Sequence, residues 1–191
     1  MKPQVLSSLM LCMCIGVSTG CGHANAPSAV AHPSAKTQAY VDQNATFMQE
    51  HHLMSYDDGV KLDYTIASSV QRGYISDNEF TWVLSLLQSG AKPYTRATLI
   101  KQMIVMQSLS RIPRLSQHQK NIYLPILIHY TKSPARNVQA VALDGLWDIG
   151  DIRAAKRVNE MVKDPNSGLT EVERKHFSGF VQHCKEETGK Q

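Results

Sequence analysis

Cysteine is scarce in this sequence of 191 residues, which contains four. Three of them, Cys12, Cys14 and Cys21, lie near the amino terminus, so only Cys184 remains beyond residue 21. A segment with one cysteine cannot form an internal disulfide, and its fold must depend on a hydrophobic core. The chain beyond residue 40 is long enough to build such a core as one domain.

Motifs of several large enzyme classes are also missing. The sequence has no glycine-rich phosphate loop, no H-E-x-x-H, no C-x-x-C and no G-x-S-x-G. These absences exclude only the enzymes that carry such motifs, and we predict no catalytic residue and no cofactor. The 20 basic and 16 acidic residues are interspersed and give a net charge of +4. The sequence therefore has no run of basic residues of the kind that indicates nucleic-acid binding, and we predict none.

Long hydrophobic runs are confined to the amino terminus. Lys2 precedes an apolar run from Val5 to Val17, and small residues follow. This layout is typical of an export signal, because a permanent transmembrane helix needs about 20 apolar residues.

The segment Ser18-Thr19-Gly20-Cys21 resembles the lipobox of bacterial lipoproteins. The resemblance implies that Cys21 carries acyl chains such as palmitate, becomes the mature amino terminus and anchors the protein in the bacterial cell envelope. Ser18 departs from the family, which prefers leucine there. An ordinary cleavage site at Ala24-Asn25-Ala26 is the competitor, but Pro27 would follow that cut, which favours the lipobox. Simple secretion and an uncleaved anchor are the remaining alternatives.

The lipobox interpretation divides the chain into three parts. Residues 1–20 form a lipoprotein signal peptide, and residues 21–39, which are mostly small and contain two prolines, form a flexible tether. Residues 40–191 form the exported domain.

Helix signals recur throughout residues 40–191, whereas alternating apolar and polar residues do not, so we predict an all-α domain. Four pairs of residues are typical of capped helix starts: Ser55 with Asp58, Ser76 with Glu79, Ser116 with Gln119, and Thr170 with Glu173. Pro134 predicts a further start as the first helical residue. Predicted stops are Gly73, Gly90, Pro113, Gly150 and Gly168. The predicted helices span 39–52, 56–71, 77–89, 94–109, 117–131, 135–149, 151–163 and 170–186.

Residues 137–165 resemble one unit of the HEAT-type helical repeats, of the short bacterial kind related to phycobilisome lyases. The matching residues are Val138, Val141, Ala142, Leu146, Ile149, Gly150, Asp151, Asp164 and Pro165. Trp147 and Gln139 depart from the family pattern. Small residues such as Gly145 would let neighbouring helices approach, and Gly150-Asp151 would form an abrupt corner. An upstream unit offset by about 43 residues fits the period of such arrays. The resemblance implies a short α-solenoid, and a plain helical bundle is the alternative.

A candidate partner-binding strip lies on predicted helix 151–163. We expect Ile152, Ala155, Val158 and Val162 to form its packed side, which leaves four charged residues facing outward: Arg153, Lys156, Arg157 and Glu160. The second helix of a HEAT-type unit lines the concave binding surface, so the resemblance implies that this strip binds a partner. The alternative is a solvated face that serves only solubility.

Two polar clusters offer weaker candidates for a metal site and for a nucleophile. Metal ligands are available in the segment of Glu50, His51, His52, Asp57 and Asp58. Adjacent histidines point about 100° apart on a helix, and first-turn aspartates are expected at a helix start, so we predict no metal site. His183 and Cys184 are also neighbours that would not face each other, which predicts a partly buried free thiol.

These observations together predict a membrane-anchored cell-envelope lipoprotein that acts as a non-enzymatic protein-interaction or adaptor module. Its partners would be the membrane, through the lipid anchor, and a protein whose identity the sequence does not encode. The alternative is an envelope enzyme or metal-binding protein that uses the Glu50 to Asp58 cluster.

Overall fold

A computed structural model describes residues 35–88 and 95–188. Regular structure in this part of the chain is helical throughout, which confirms the all-α prediction. The signal peptide, the lipobox with Cys21, most of the tether and the stop at Gly90 lie outside the described residues. The helices are α1 (Ala35–Glu50), α2 (Tyr56–Arg72), α3 (Asp77–Gln88), α4 (Arg96–Ser110), α5 (Gln117–Tyr130), α6 (Arg136–Ile149), α7 (Ala155–Lys163), α8 (Glu171–Ser178) and α9 (Phe180–Thr188), with a 3-10 helix at Ile152–Ala154.

The four predicted capping pairs all lie at helix starts. Ser116 and Thr170 form reciprocal capping boxes with the residues three positions on. At α3 the Glu79 carboxylate accepts from the Ser76 N–H at 3.0 Å. At α2 the Ser55 hydroxyl accepts from the Asp58 N–H at 3.1 Å. Each pair satisfies N–H groups that a helix start otherwise leaves unpaired, and this explains why the predicted starts are accurate.

Helix α6 begins at Arg136, so the prediction that Pro134 is the first helical residue is wrong. The Ser133 hydroxyl accepts from the Ala135 N–H at 3.2 Å, and the Gln139 side chain donates to the Ser133 carbonyl at 2.6 Å. These bonds hold a turn that competes with an earlier helix start. Helix α1 instead begins at Ala35, before the predicted residue 39, because the added residues include good helix formers.

The predicted helix 170–186 is two helices, α8 and α9, separated at Gly179. Gly179 has φ −82° and ψ 1°, and its N–H donates to the His176 carbonyl at 3.3 Å. Phe177 and Phe180, on either side of the break, are 3% and 0% exposed. Gly179 is a poor helix former, and burial of the rings on either side of it stabilises the break, which the predicted single helix had missed.

The packed side of α7 also differs from the prediction. Ile152 is 50% exposed, whereas Ala154 and Val158 are fully buried and Met161 is 2% exposed. The cause is the 3-10 helix, which has about 3.0 residues per turn instead of 3.6 and so rotates the following residues. Only Val158 of the predicted face is fully enclosed.

Helix packing depends on two glycines. Helix α1 packs against α2, and a β-carbon at Gly59 would lie 3.0 Å from the Ala45 Cα. Helix α6 packs against both α4 and α5, and a β-carbon at Gly145 would lie 3.1 Å from a Leu127 methyl group. The second contact confirms that Gly145 allows a close helix approach. This packing is compatible with a repeat array and with a bundle.

The corner after α6 forms as predicted. Gly150 adopts a left-handed conformation with φ 60° and ψ 34°, and its N–H donates to the Leu146 carbonyl at 3.1 Å. Asp151 then caps the 3-10 helix by accepting from the Arg153 N–H at 2.9 Å. Helix α7 follows and packs against α8 and α9.

Candidate binding cleft

A polar cleft of about 390 Å³ lies between the end of α5, the first turn of α6, helix α7 and the loop that follows α7. It is lined by Thr131, Lys132, Gln139, Arg157, Glu160, Met161, Asp164, Asn166 and Ser167. Two of the four predicted partner-binding residues, Arg157 and Glu160, therefore belong to it. Its volume lies within the range of small-ligand sites, about 300–1,000 Å³.

Arg157 is held in place by the end of helix α5. Its Nε donates to the Thr131 hydroxyl at 2.8 Å, and one terminal nitrogen donates to the Thr131 carbonyl at 3.0 Å. Thr131 is fully buried and is the C-cap residue of α5, where the helix dipole favours a cation. Glu160 lies 3.8 Å from the guanidinium, which is an ion-pair distance and too long for a hydrogen bond. The prediction had placed Arg157 on an outward-facing, solvated surface. The structure instead holds its guanidinium against Thr131.

A second part of the cleft lining is the loop after α7, which several hydrogen bonds make rigid. The Asp164 carboxylate accepts from the Asn166 N–H at 2.8 Å, and the Asp164 carbonyl accepts from the Ser167 N–H at 3.2 Å. From α8, Arg174 donates to the carbonyls of Val162 and Asp164, both at 2.7 Å. The cleft therefore has two walls that are fixed before any ligand arrives.

The Ser167 hydroxyl is exceptional within the described part of the chain. It is the one buried side-chain oxygen or nitrogen there that has no hydrogen-bond partner. An unpaired buried hydroxyl costs about 1–3 kcal/mol, and the residue that carries it is one of those that line the cleft.

The other two residues of the predicted strip lie elsewhere. Arg153 forms an ion pair with Asp151 at 2.5 Å, and the hydrogen bonds from Arg153 lower the pKa of that carboxyl. Lys156 is exposed on α7. Neither residue lines the cleft, so the structure divides the predicted strip into two parts.

The residues from Glu50 to Asp58 are not gathered into a metal site. His51 packs on the Phe47 ring at 4.3 Å, and His52 has a positive φ of 55° after the end of α1. Asp58 is hydrogen bonded to Ser55. Among residues 35–88 and 95–188, no three His, Cys, Asp or Glu side chains are grouped so that they could hold a metal ion.

Cys184 and His183 lie in different environments and do not form a nucleophile and base pair. Burial, with a smaller effect of the Asp151 carboxylate, raises the pKa of the Cys184 thiol to about 11, which suppresses the thiolate needed for nucleophilic chemistry. The His183 ring stacks on Trp147 at 4.3 Å, and its Nε2 donates to the Trp147 carbonyl at 2.8 Å. His176 packs on the same indole at 4.0 Å.

No sequence pattern had indicated Thr131 or Ser167 as site residues, or the two imidazoles that pack around Trp147. Thr131 and Arg157 are 26 residues apart, and Trp147 and His183 are 36 apart. Such pairs meet only through the packing of separate helices, so no local pattern encodes them.

The helices in the described ranges include none with the length and apolarity to span a bilayer. Comparison of the chain with protein-family models, curated proteins and solved structures finds no match.

Proposed function

We propose that this chain is a bacterial cell-envelope lipoprotein, anchored through acyl chains on Cys21, whose HEAT-like all-α domain acts as a non-enzymatic protein-interaction module. The observation that carries the interaction part is the fixed Arg157 in an open polar cleft, beside Glu160 and Lys132. A side chain immobilised by its own protein loses little conformational entropy when a partner binds. The anchoring part is supported by the sequence of residues 1–21.

Membrane fractionation tests the anchor. Cys21→Ala removes the residue that would carry the acyl chains, so we expect the variant to leave the membrane fraction. Cys14→Ala is the matched control, since it changes a cysteine of the apolar run and should stay with the membranes. A Cys21→Ala protein that remains membrane-bound after a high-salt wash would contradict the lipoprotein proposal.

Site-specific photocrosslinking in the native envelope tests the interaction. A photoreactive side chain at Asn166, which is exposed and lines the cleft, should yield a discrete protein adduct. The matched control is Gln71, which is exposed on α2 and does not line the cleft. Equal adducts from both positions, or none from Asn166, would contradict a partner at this cleft.

A further inference from the structure

Charges of both signs line the cleft. Lys132 and Arg157 are basic, whereas Glu160 and Asp164 are acidic. A ligand with only negative groups would be repelled by the two carboxylates, and a purely cationic ligand would be repelled by the other pair. The lining therefore suits a ligand that presents a carboxylate next to hydrogen-bond donors.

Arg157 has N–H groups left for such a carboxylate. A guanidinium carries five N–H donors, and the two hydrogen bonds to Thr131 use two of them. Glu160, at 3.8 Å, is too distant to use another in a hydrogen bond. A guanidinium fork held in one orientation is well suited to a planar carboxylate.

The unpaired Ser167 hydroxyl supplies the second requirement. Ser167 lines the same cleft, and its hydroxyl, which is buried in the free protein, has no partner among the described residues, so a turn of this side chain to another rotamer would present it to a ligand. A peptide carbonyl would satisfy it, and a peptide N–H would suit the nearby carboxylates.

We propose that this cleft binds the carboxyl-terminal end of a partner polypeptide. The terminal carboxylate contacts Arg157 and Lys132, the peptide N–H donates to Glu160 or Asp164, and the Ser167 hydroxyl donates to the preceding carbonyl. One chain end carries these three groups within two residues, and the capture of chain termini is a known mode of peptide recognition. The inference rests on the proposed interaction function and specifies its ligand.

The test uses the full chain in detergent micelles, with the arginine Nε–H groups observed by NMR. The probe is N-acetyl-trialanine with a free carboxylate, and the Arg157 signal is identified by its loss in Arg157→Lys. We expect the probe to shift the Arg157 signal and to leave Arg153, which is paired with Asp151, unmoved. No shift of Arg157, or an equal shift of Arg153, would overturn the proposal.

Two further probes identify the source of the carboxylate. N-acetyl-trialanine amide keeps the peptide groups but lacks the terminal charge, and N-acetyl-Ala-Glu-Ala amide carries its carboxylate on a side chain. Both should shift the Arg157 signal much less than the free acid. An equal response to either probe would overturn recognition of a chain end.

Ser167→Ala separates binding from folding. Because the hydroxyl has no partner in the described residues, its removal should leave the melting temperature unchanged or slightly raised. It should weaken binding of the free acid about two- to tenfold, as expected for one hydrogen bond. Unchanged affinity would remove Ser167 from the site and overturn the proposed contact set.

The two proposals fail in different ways. Crosslinking from Asn166 in the envelope leaves every proposed ligand contact in place, so it requires only a partner at the cleft, whatever its chemistry. If that adduct forms while the acid and amide probes behave alike, the chain-end inference is wrong and the interaction module stands. If the adduct is absent, the proposed function itself fails.

Discussion

Gly150 has a backbone conformation that few other residues adopt at low cost. Its φ of 60° lies in the left-handed region, and its N–H caps the end of α6. Gly150→Val should lower the free energy of unfolding by about 1–3 kcal/mol, because a β-branched side chain is strained there. Chemical denaturation measures the loss.

The matched control for this prediction is Gly179→Ala. Gly179 also stands between two helices, but its φ is −82°, and a β-carbon would meet only the His176 carbonyl at an ordinary 3.6 Å. We expect a change within about 0.5 kcal/mol. Equal effects at both positions would show that the sign of φ does not determine the cost.

Glu173 connects the start of α8 to α6. Partial burial raises the pKa of this carboxyl, but hydrogen bonds from Thr170 and the ion pair with Arg136 outweigh it, so the net pKa lies below its ordinary value of 4.5. A carboxyl whose pKa is lower in the folded than in the unfolded protein stabilises the fold at pH values above its unfolded pKa. This stabilisation is lost as the pH falls through its folded pKa.

Glu173→Gln should therefore lower the melting temperature at pH 7 and lose this effect as the pH approaches 3. Thermal melts of both proteins across this range measure the difference. Glu171→Gln is the control, since Glu171 is exposed in the same helical turn. A difference that stayed constant down to pH 3 would contradict the ionised role of Glu173.

At the scale of whole helices, the contact between α1 and α2 depends on Gly59. A β-carbon there would lie 3.0 Å from the Ala45 Cα, and a backbone atom cannot move aside as a side chain can. Gly59→Ala should cost about 1–3 kcal/mol by overpacking, which exceeds the gain of about 1 kcal/mol in helix propensity. A higher melting temperature for Gly59→Ala would contradict this explanation.

Gly145 provides the comparison for Gly59→Ala. Its close neighbour is the side chain of Leu127, so Leu127→Ala should relieve the strain of Gly145→Ala. In a double-mutant cycle the two substitutions together should cost less than the sum of the single effects.

Helix boundaries were predictable where the signal is local. The pair Ser116 and Gln119 satisfies unpaired N–H groups within one turn, so a segment of four residues suffices to place the start of α5. The separation of α8 from α9 was missed, because the one local signal, Gly179, is often tolerated within a helix and the break also depends on the burial of Phe177 and Phe180.

At the scale of the whole molecule, Val158 connects α7 to the core. It is fully buried, whereas Lys156 is exposed two residues earlier. Val158→Asp would bury an unpaired charge and should abolish the cooperative thermal transition seen by circular dichroism. Lys156→Glu should leave the free energy of unfolding within about 0.5 kcal/mol of the parent. A normal melt for Val158→Asp would show that α7 is not part of the cooperative unit.

Only two of the nine residues that line the candidate cleft were predicted from the sequence as site residues. Arg157 and Glu160 were expected on one face because both belong to a single short helix. Thr131, which orients Arg157, belongs to the end of α5, and the unpaired Ser167 belongs to the loop after α7. The sequence could indicate which residues were charged, but not which of them would be held rigid.

The sequence alone determined the all-α class, most helix starts and the corner at Gly150, because each depends on hydrogen bonds and backbone preferences within a few neighbouring residues. Tertiary structure decided which side of α7 is buried and which residue, Thr131, holds Arg157 by two hydrogen bonds. Both depend on burial and hydrogen bonding between segments that are distant along the chain. These contacts form only when the helices pack together, so no local sequence pattern contains them.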